Sequence, residues 1–352
     1  MKFAPILILL AFGNAWARDD VVPGPRWMSA RANAMGDSLA PFANKLSDGL
    51  FNQPAALAHF KGAKFEPLTF QGYGNMGFLK NLGLNSHKIL SLNTASDLLN
   101  EAPGTPMGVG LGGFSGLSYY GLTAGLMGQN HLQSENDGGV IRHRARYELT
   151  PAFGLGIPLA RGIVRIGYSF LWINQSVGEG SGAQSYKADL AQGSAFSHNV
   201  GVALDLPVLA APSINAVIRN VGGLHYRSKS ILPVATGNVT TPTDEPMTID
   251  LSLGIQPRLR KFGALRFSVG YRDVTNTSAT SFLQKLTIGA ELSIRRRFHI
   301  RSGMSSLYPS VGLGLSGKNM ELSLSWYGQE VGTGIWGTRE DRIVFEYSLF
   351  WF

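Results

Sequence analysis

From Phe65 to its end the chain divides into about fourteen extended stretches whose connections alternate in length, and few folds tolerate that pattern. The stretches begin near Phe65, Met107, Ser118, His143, Ile163, Ala195, Pro212, Met247, Ala264, Phe282, Phe298, Tyr308, Asn319 and Asp341. Long connections (Leu79 to Pro106, Gln129 to Arg142, Val177 to Ser194, Gly222 to Pro246, Gln329 to Glu340) follow odd-numbered stretches. Short ones (around Gly116, Leu159 to Gly162, Pro207 to Ala211, Arg258 to Gly263, Arg295 to Arg297, Gly317 to Lys318) follow even-numbered stretches. The two remaining odd-numbered connections, near Asn276 and Ser306, are modest. Short turns at one end and longer loops at the other are the geometry of an antiparallel barrel crossing a membrane, and an even strand count returns both ends of the sheet to the short-turn side.

The residues within each stretch say which face meets what. In the tenth, Leu286, Ile288, Ala290, Leu292 and Ile294 oppose Lys285, Thr287, Gly289, Glu291 and Ser293. The fifth sets Val164, Ile166, Tyr168, Phe170 and Trp172 against Arg165, Gly167 and Ser169, and the eighth and ninth alternate in the same way. A soluble sandwich also alternates, but its outward face is rich in Lys and Glu. Here the non-aromatic face is Gly, Ser and Thr with scattered charge, which suits a crowded polar lumen. Only 15% of residues are charged, 44 are glycine, and mean hydropathy is near zero, a balance too polar for a helical membrane protein. No stretch after the N-terminus offers about 18 uninterrupted apolar residues. There is no cysteine, so disulfides and thiolate metal sites are excluded.

The last twelve residues carry the same alternation, with Ile343, Phe345, Tyr347, Leu349 and Trp351 on one face. A closing strand of this kind must pair with the first to leave no open edge. Tyr347, Leu349, Trp351 and Phe352 form its terminal signature and the expected handle for the outer-membrane assembly machinery. Terminal Phe352 falls out of phase with the outward set: either a bulge resets the register, or Trp351 takes the interface role and Phe352 turns inward, the reading favoured here. At the other end, Lys2, the apolar run Phe3 to Phe12 and Ala15-Trp16-Ala17 make a signal peptide cleaved after Ala17. The expected location is therefore the bacterial outer membrane, with the bilayer and lipopolysaccharide as partners.

Residues 18–64 do not alternate. Ser29 to Gly36 is rich in small residues and suits a short helix ending at Gly36, and Pro54 suits a turn or helix start. The stretch ARANAMGDSLAPFANKLSDGLFNQPAALA, Ala30 to Ala58, resembles the N-terminal hatch of FadL/TodX-type hydrophobic-compound transporters and PorV-like barrels. Arg31, Met35, Gly36, Asp48, Pro54, Ala55 and Leu57 match that pattern. Gln53 stands where the family has Asn, next to Asn52, and Ala56 where it has Gly. The closing section, Gly303 to Gly314, Trp326 to Gly332 and Arg339 to Arg342, is similar to TraF-like uncharacterised outer-membrane proteins of the same superfamily. The resemblance implies three parts: signal peptide 1–17, a hatch over 18–64 in the lumen, and a barrel over 65–352. It also implies a channel for small hydrophobic or amphipathic, fatty-acid-like compounds, gated by the hatch. The alternative it implies is a plugged scaffold that binds secreted or envelope proteins.

Chemistry of other kinds is hard to find. No serine-nucleophile elbow, His-Glu-x-x-His or phosphate-cradling loop occurs. Gly108 to Gly112 and Gly312 to Gly314 imitate dinucleotide fragments but have strand periodicity and no following helix, so no cofactor is expected. The seven histidines, His59, His87, His131, His143, His198, His225 and His299, show no metal-ligand spacing, and an enzyme is not expected. The constellation that stands out is lumenal: Arg144, Arg146, Glu148, Arg165, Arg219, Asp250, Arg266, Arg272, Lys285, Glu291, Glu321, Arg342 and Glu346. Buried charges persist only when paired, so a salt-bridge network that holds the hatch is the leading reading, and an anion-attracting path the other. The net charge of +8 gathers partly at Arg258, Arg260 and Lys261 and at Arg295 to Arg297 with His299 and Arg301. Both clusters lie by short turns and lack interleaved aromatics, which points to anionic lipid rather than nucleic acid. Ser91 to Leu99 suits an amphipathic helix at the outer rim, where it would pack on the barrel or meet a hydrophobic ligand.

Overall fold

The computed structural model describes residues 26–79, 107–137, 140–181, 190–208, 210–232, 234, 240–259, 263–277, 281–330 and 339–351. The signal peptide, Ser91 to Leu99, Arg260, Lys261 and Phe352 therefore lie outside the described residues. Among the described residues no helix is long and apolar enough to cross a membrane.

Among the described residues, fourteen antiparallel strands close into one barrel. They are β1 (Ala63–Asn75), β2 (Met107–Tyr119), β3 (Leu122–Asp137), β4 (Val140–Leu159), β5 (Val164–Ser181), β6 (Ala191–Asp205) and β7 (Ser213–Arg219). The other half comprises β8 (Thr248–Ile255), β9 (Gly263–Tyr271), β10 (Leu286–Ile294), β11 (Phe298–Ser305), β12 (Tyr308–Ser316), β13 (Met320–Glu330) and β14 (Arg339–Trp351). A two-residue piece, Arg258–Leu259, extends the β8–β9 hairpin by pairing with Ala264 and Gly263. Each strand pairs with its chain neighbours, and the sheet closes where β1 meets β14, from Phe65 opposite Trp351 to Asn75 opposite Arg342. The final strand is the seam, as its alternation requires.

Several boundaries differ from expectation, for physical reasons. Gly116 lies inside β2, and the turn sits at Tyr120 and Gly121, both with positive φ, where a tight reversal is easiest. The polar residues after Gln129 and Val177 continue β3 and β5 as paired hairpins rather than forming loops, and Gln329 and Glu340 likewise sit in β13 and β14. Their strands lack an apolar face because they extend past the greasy belt. Phe282 opens a four-residue helix, Phe282–Lys285, capped by Ser281 and Gln284 in a reciprocal box, and β10 starts only at Leu286.

The outward face is an apolar wall. Ile300, Leu313, Leu324 and Phe345 lie in register across β11 to β14, each between 40% and 59% exposed. Such a wall is consistent with contact with a bilayer. Leu313→Arg at the centre of this row is expected to cost about 2–4 kcal/mol, the price of a cation at mid-membrane. Reversible urea unfolding in lipid vesicles measures it, and a loss below about 0.5 kcal/mol would contradict a buried position in lipid.

Candidate functional site: the filled lumen

The N-terminal residues 26–62 run down the inside of the barrel as α1 (Ala30–Ala34), a 3-10 turn Ala40–Phe42, α2 (Leu46–Phe51) and a 3-10 turn Pro54–His59. Their residues are almost wholly buried although the helices are too short to be stable alone. Two features hold them.

The first is the small residues of the wall. A Cβ added at Gly167 would lie 2.0 Å from the Pro54 carbonyl oxygen, and one at Gly156 would lie 2.1 Å from the Ala58 nitrogen. Gly303 and Gly36 meet backbone to backbone: a Cβ on Gly303 would lie 2.3 Å from the Gly36 nitrogen, and Gly36 turns there with a φ of +58°. Met35 is fully buried against Gly289, and Leu57 against Gly154 and Gly156. The glycines on the lumenal face of the strands are thus the track on which the segment rests. Gly312, in a dinucleotide-like fragment, does the same for Ala34.

The second is charge, in three groups. In the first, Glu291 on β10 accepts from Arg31 at 2.8 and 3.1 Å and from Arg301 at 2.8 Å, and it also pairs with Arg266. Arg301 reaches on to Glu321 at 3.1 Å, and Lys45 lies 3.6 Å from Glu321 and 2.6 Å from Glu346. Glu346 also accepts from the Ala30 backbone nitrogen at 2.9 Å, at the start of α1. Burial works against the charge on Lys45, but Glu321, Glu346 and Asp48 outweigh it and hold its pKa above the ordinary value. Asp48 on α2 is fully buried with neither carboxylate oxygen hydrogen-bonded. Burial pushes its pKa up, against the pull of Lys45 and Arg31.

The second group ties down the second half of the segment. Arg219 donates to the Phe51 and Asn52 carbonyls at 2.9 and 3.0 Å and pairs with Asp250 at 2.6 Å, so it caps the C-terminal end of α2. Arg165 donates to the Ala55 carbonyl at 3.3 Å and pairs with Asp205. Gln53, the departure from the family pattern, accepts from the Ala55 nitrogen at 3.4 Å as N-cap and donates to Asn215 at 3.1 Å. The longer side chain serves both the turn and the wall.

The third group lies at the loop end. Arg26 donates to Gln175 at 2.8 Å and Tyr226 at 3.1 Å, pairs with Glu245, and lies 3.5 Å from Glu148, which also holds Arg146 at 2.7 Å. Tyr226 and Glu245 belong to the connection between β7 and β8, which folds inward so that Leu224 packs in one cluster with Trp27. An outer loop and the segment are therefore clasped together.

The expected lumenal residues thus divide. Glu291, Arg266, Glu321, Glu346, Arg165, Arg219, Asp250, Glu148 and Arg272, which pairs with Asp37, join wall to segment directly or through one partner. Lys285 instead pairs with Asp273 at 2.9 Å, both fully buried, and Arg342 pairs with Glu340 on its own strand. Arg144 shares the inward face of Arg146 on β4. Arg301 and His299 require a correction: strand alternation turns both inward, Arg301 into the Glu291 group and His299 between Ser293 and Ser316, so only Arg295 to Arg297 remain exposed at the turn. Nothing in the sequence singles out Arg26, Lys45 and Tyr226, because each is a single polar residue in a non-periodic stretch. Between the segment and β7 to β10 there remains a cavity of about 30 Å³, room for about one water.

No family model and no curated protein matches the sequence. Solved structures do. The toluene transporter TodX of P. putida superposes over 91% of this chain and 98% of its own with a TM-score of 0.52 at 11% identity. A Pseudomonas aeruginosa FadL homologue covers 94% and 99% with a TM-score of 0.50, also at 11% identity. The chain has the FadL/TodX-type outer-membrane barrel fold. A TodX variant described as a monoaromatic hydrocarbon channel aligns over 95% of this chain with a TM-score of 0.54. In this FadL/TodX-type barrel the likeness extends over 91–95% of the chain.

Proposed function

We propose that the protein is an outer-membrane channel for small hydrophobic or amphipathic compounds, with residues 18–64 as a hatch that moves to let them through. The carrying observation is the lumenal segment itself, packed on glycines and held by ion pairs inside a barrel shaped like channels whose names record toluene and monoaromatic hydrocarbons. A wall built to fit a separate, non-strand segment can release it without breaking a single ladder hydrogen bond. The polar lining also supplies water and alternative partners once the segment shifts, so the charges need not become bare.

The test is uptake of radiolabelled toluene and of a radiolabelled fatty acid by cells with and without the gene. Faster uptake of at least one class with the gene is expected. Equal rates for both would sink the channel reading. The number of buried ion pairs fixing the segment favours a second reading, a permanently plugged scaffold that binds secreted or envelope proteins. It predicts equal uptake together with a stable protein partner after mild detergent extraction.

A further inference from the structure

At one place the wall is completed by a connection rather than by a strand. β7 stops at Arg219, opposite the middle of β6, so the loop end of β6 has no partner strand on that side. Residues of the β7–β8 connection take its place. Val221 donates its N–H to the His198 carbonyl, Arg227 and Ser194 exchange backbone bonds at 2.8 and 2.9 Å, and Gln192 donates to the Thr240 carbonyl at 2.8 Å. Opposed residues of an antiparallel pair share a face. Arg227 therefore turns outward with Ser194, while Tyr226 turns inward to Arg26.

Past Arg227 the chain leaves the sheet edge and crosses the outside of the barrel. The Lys229 carbonyl accepts from the Ser194 hydroxyl at 2.5 Å, the Ile231 N–H donates to Asn174 at 3.1 Å, and the Val234 N–H donates to Gln192 at 2.9 Å. Asn174, Gln192 and Ser194 are in phase with Trp172 and Phe196, the outward set of β5 and β6. Asn174 is nevertheless 0% exposed, beneath this flap. Directly below it is an aromatic shelf. Trp172 lies opposite Phe196 with ring centres 6.2 Å apart, Phe170 stacks on Phe196 at 5.4 Å, and His198 meets Phe170 at 5.4 Å. The rise along β5 from Val164 to Trp172 is roughly 20 Å, most of an apolar band about 25 Å tall. The flap thus sits at headgroup height on the long-loop side.

Its exposed side chains suit an anionic amphiphile. Arg227 and Lys229 are exposed, and apolar Ile231 stands beside them, 47% exposed. The carboxylates of the same connection are committed elsewhere: Asp244 to His225 at 2.7 Å and to the Tyr226 N–H at 3.0 Å, and Glu245 to Arg26. Among the described residues no carboxylate pairs with Arg227 or Lys229. We propose that flap and shelf together bind one lipopolysaccharide molecule, with a lipid A phosphate on Arg227 and Lys229 and an acyl chain along Trp172, Phe196 and Phe170. Guanidinium and ammonium groups are the side chains suited to phosphate, and aromatic girdles mark the level at which acyl chains give way to headgroups. The site rests on placement in the outer membrane and not on transport, so it holds for a channel and for a plugged scaffold alike.

The test is native mass spectrometry of the full-length barrel in detergent, titrated with synthetic lipid A bearing both phosphates, with its dephosphorylated form and with phosphatidylglycerol. We expect one lipid A to be retained. Arg227→Gln combined with Lys229→Gln should weaken its binding about tenfold or more, as the loss of two cations at a membrane surface implies. Removal of the phosphates should weaken binding to the parent by a similar factor. The exchange Arg227→Lys with Lys229→Arg should keep near-native affinity, and so should Arg296→Gln, an exposed cation at the opposite rim. Phe196→Ala, which removes the middle of the shelf, should weaken binding severalfold. Arg227 and Lys229 are exposed, so their substitution leaves assembly intact, and compact migration on unheated gels checks it. Equal affinity in the parent and the double glutamine variant would overturn the proposal. Phosphatidylglycerol bound as tightly as lipid A, with the same dependence on Arg227 and Lys229, would overturn the assignment to lipopolysaccharide.

Discussion

Glu291→Gln is expected to unseat the first half of the lumenal segment and to destabilise the barrel by about 3–5 kcal/mol, the cost of leaving buried cations without their counter-charge. The carboxylate receives Arg31 from the segment and Arg266 and Arg301 from β9 and β11. Glutamine is nearly isosteric, so packing is preserved and the change isolates the charge. It retains one acceptor oxygen for three guanidiniums, and its amide N–H groups point at cations. Arg301 keeps Glu321 at 3.1 Å, whereas the bonds left to the Arg31 guanidinium are the Phe42 carbonyl and Asn44, both within the segment itself. The attachment of α1 to the wall through this residue is therefore lost. Two measurements separate the effects: urea unfolding in vesicles reports stability, and conductance across planar bilayers reports opening. Open events should become at least tenfold more frequent. A variant as stable and as closed as the parent would show that Glu291 does not hold the segment. The double change Arg31→Met with Glu291→Gln should recover little, because Arg266 and Arg301 still face a neutral group.

Much of the barrel was legible because it is written twice, once in alternation and once in connection length. β8, β9 and β10 alternate cleanly since each has one face in a greasy belt and the other on a packed lumen, and a one-residue slip would invert both. The polar ends of β3 and β4 failed that test, for beyond the belt no face needs to be apolar, and pairing alone sustains the hairpin. Arg301 was misplaced by grouping it with Arg295 to Arg297, although its phase with Gly303 and Ser305 on β11 marks it as inward. The candidate site was legible by type and not by pairing. That Glu291 and Glu321 face the lumen follows from their strands. That Arg31 finds Glu291, 260 positions away, and Arg26 finds Glu245 follows from the path of a segment without periodicity, which no local rule contains. The wall glycines were read as a crowded lumen, and the structure supplies what crowds it.

Gly167→Ala combined with Gly156→Ala is expected to expel the second half of the segment while leaving the barrel wall intact. Both glycines lie inside strands with no positive φ, so alanine suits the wall itself at least as well. The obstacle is entirely on the lumenal side. The new Cβ at 167 would overlap the Pro54 carbonyl group and the Ala55 nitrogen, at 2.0 and 2.4 Å, and that at 156 the Ala58 nitrogen at 2.1 Å. These are backbone atoms, which cannot swing aside as the end of a side chain can. The 3-10 turn Pro54–His59 must lift by an ångström or more, and with it go the Gln53 bond to Asn215 and the Arg165 bond to Ala55. Overpacking of this kind costs roughly 1–3 kcal/mol per site, here charged against docking and not against the sheet. Gly128→Ala is the control, since its Cβ would meet Leu149 at an ordinary 3.7 Å. Protease cleavage within residues 53–60, in a barrel that keeps its compact migration on unheated gels, reads out the expulsion. Cleavage should appear in the double variant and be absent in Gly128→Ala and in the parent. Equal protection in all three would mean that the glycine track does not hold the segment, and the hatch would have to be anchored by its charges alone.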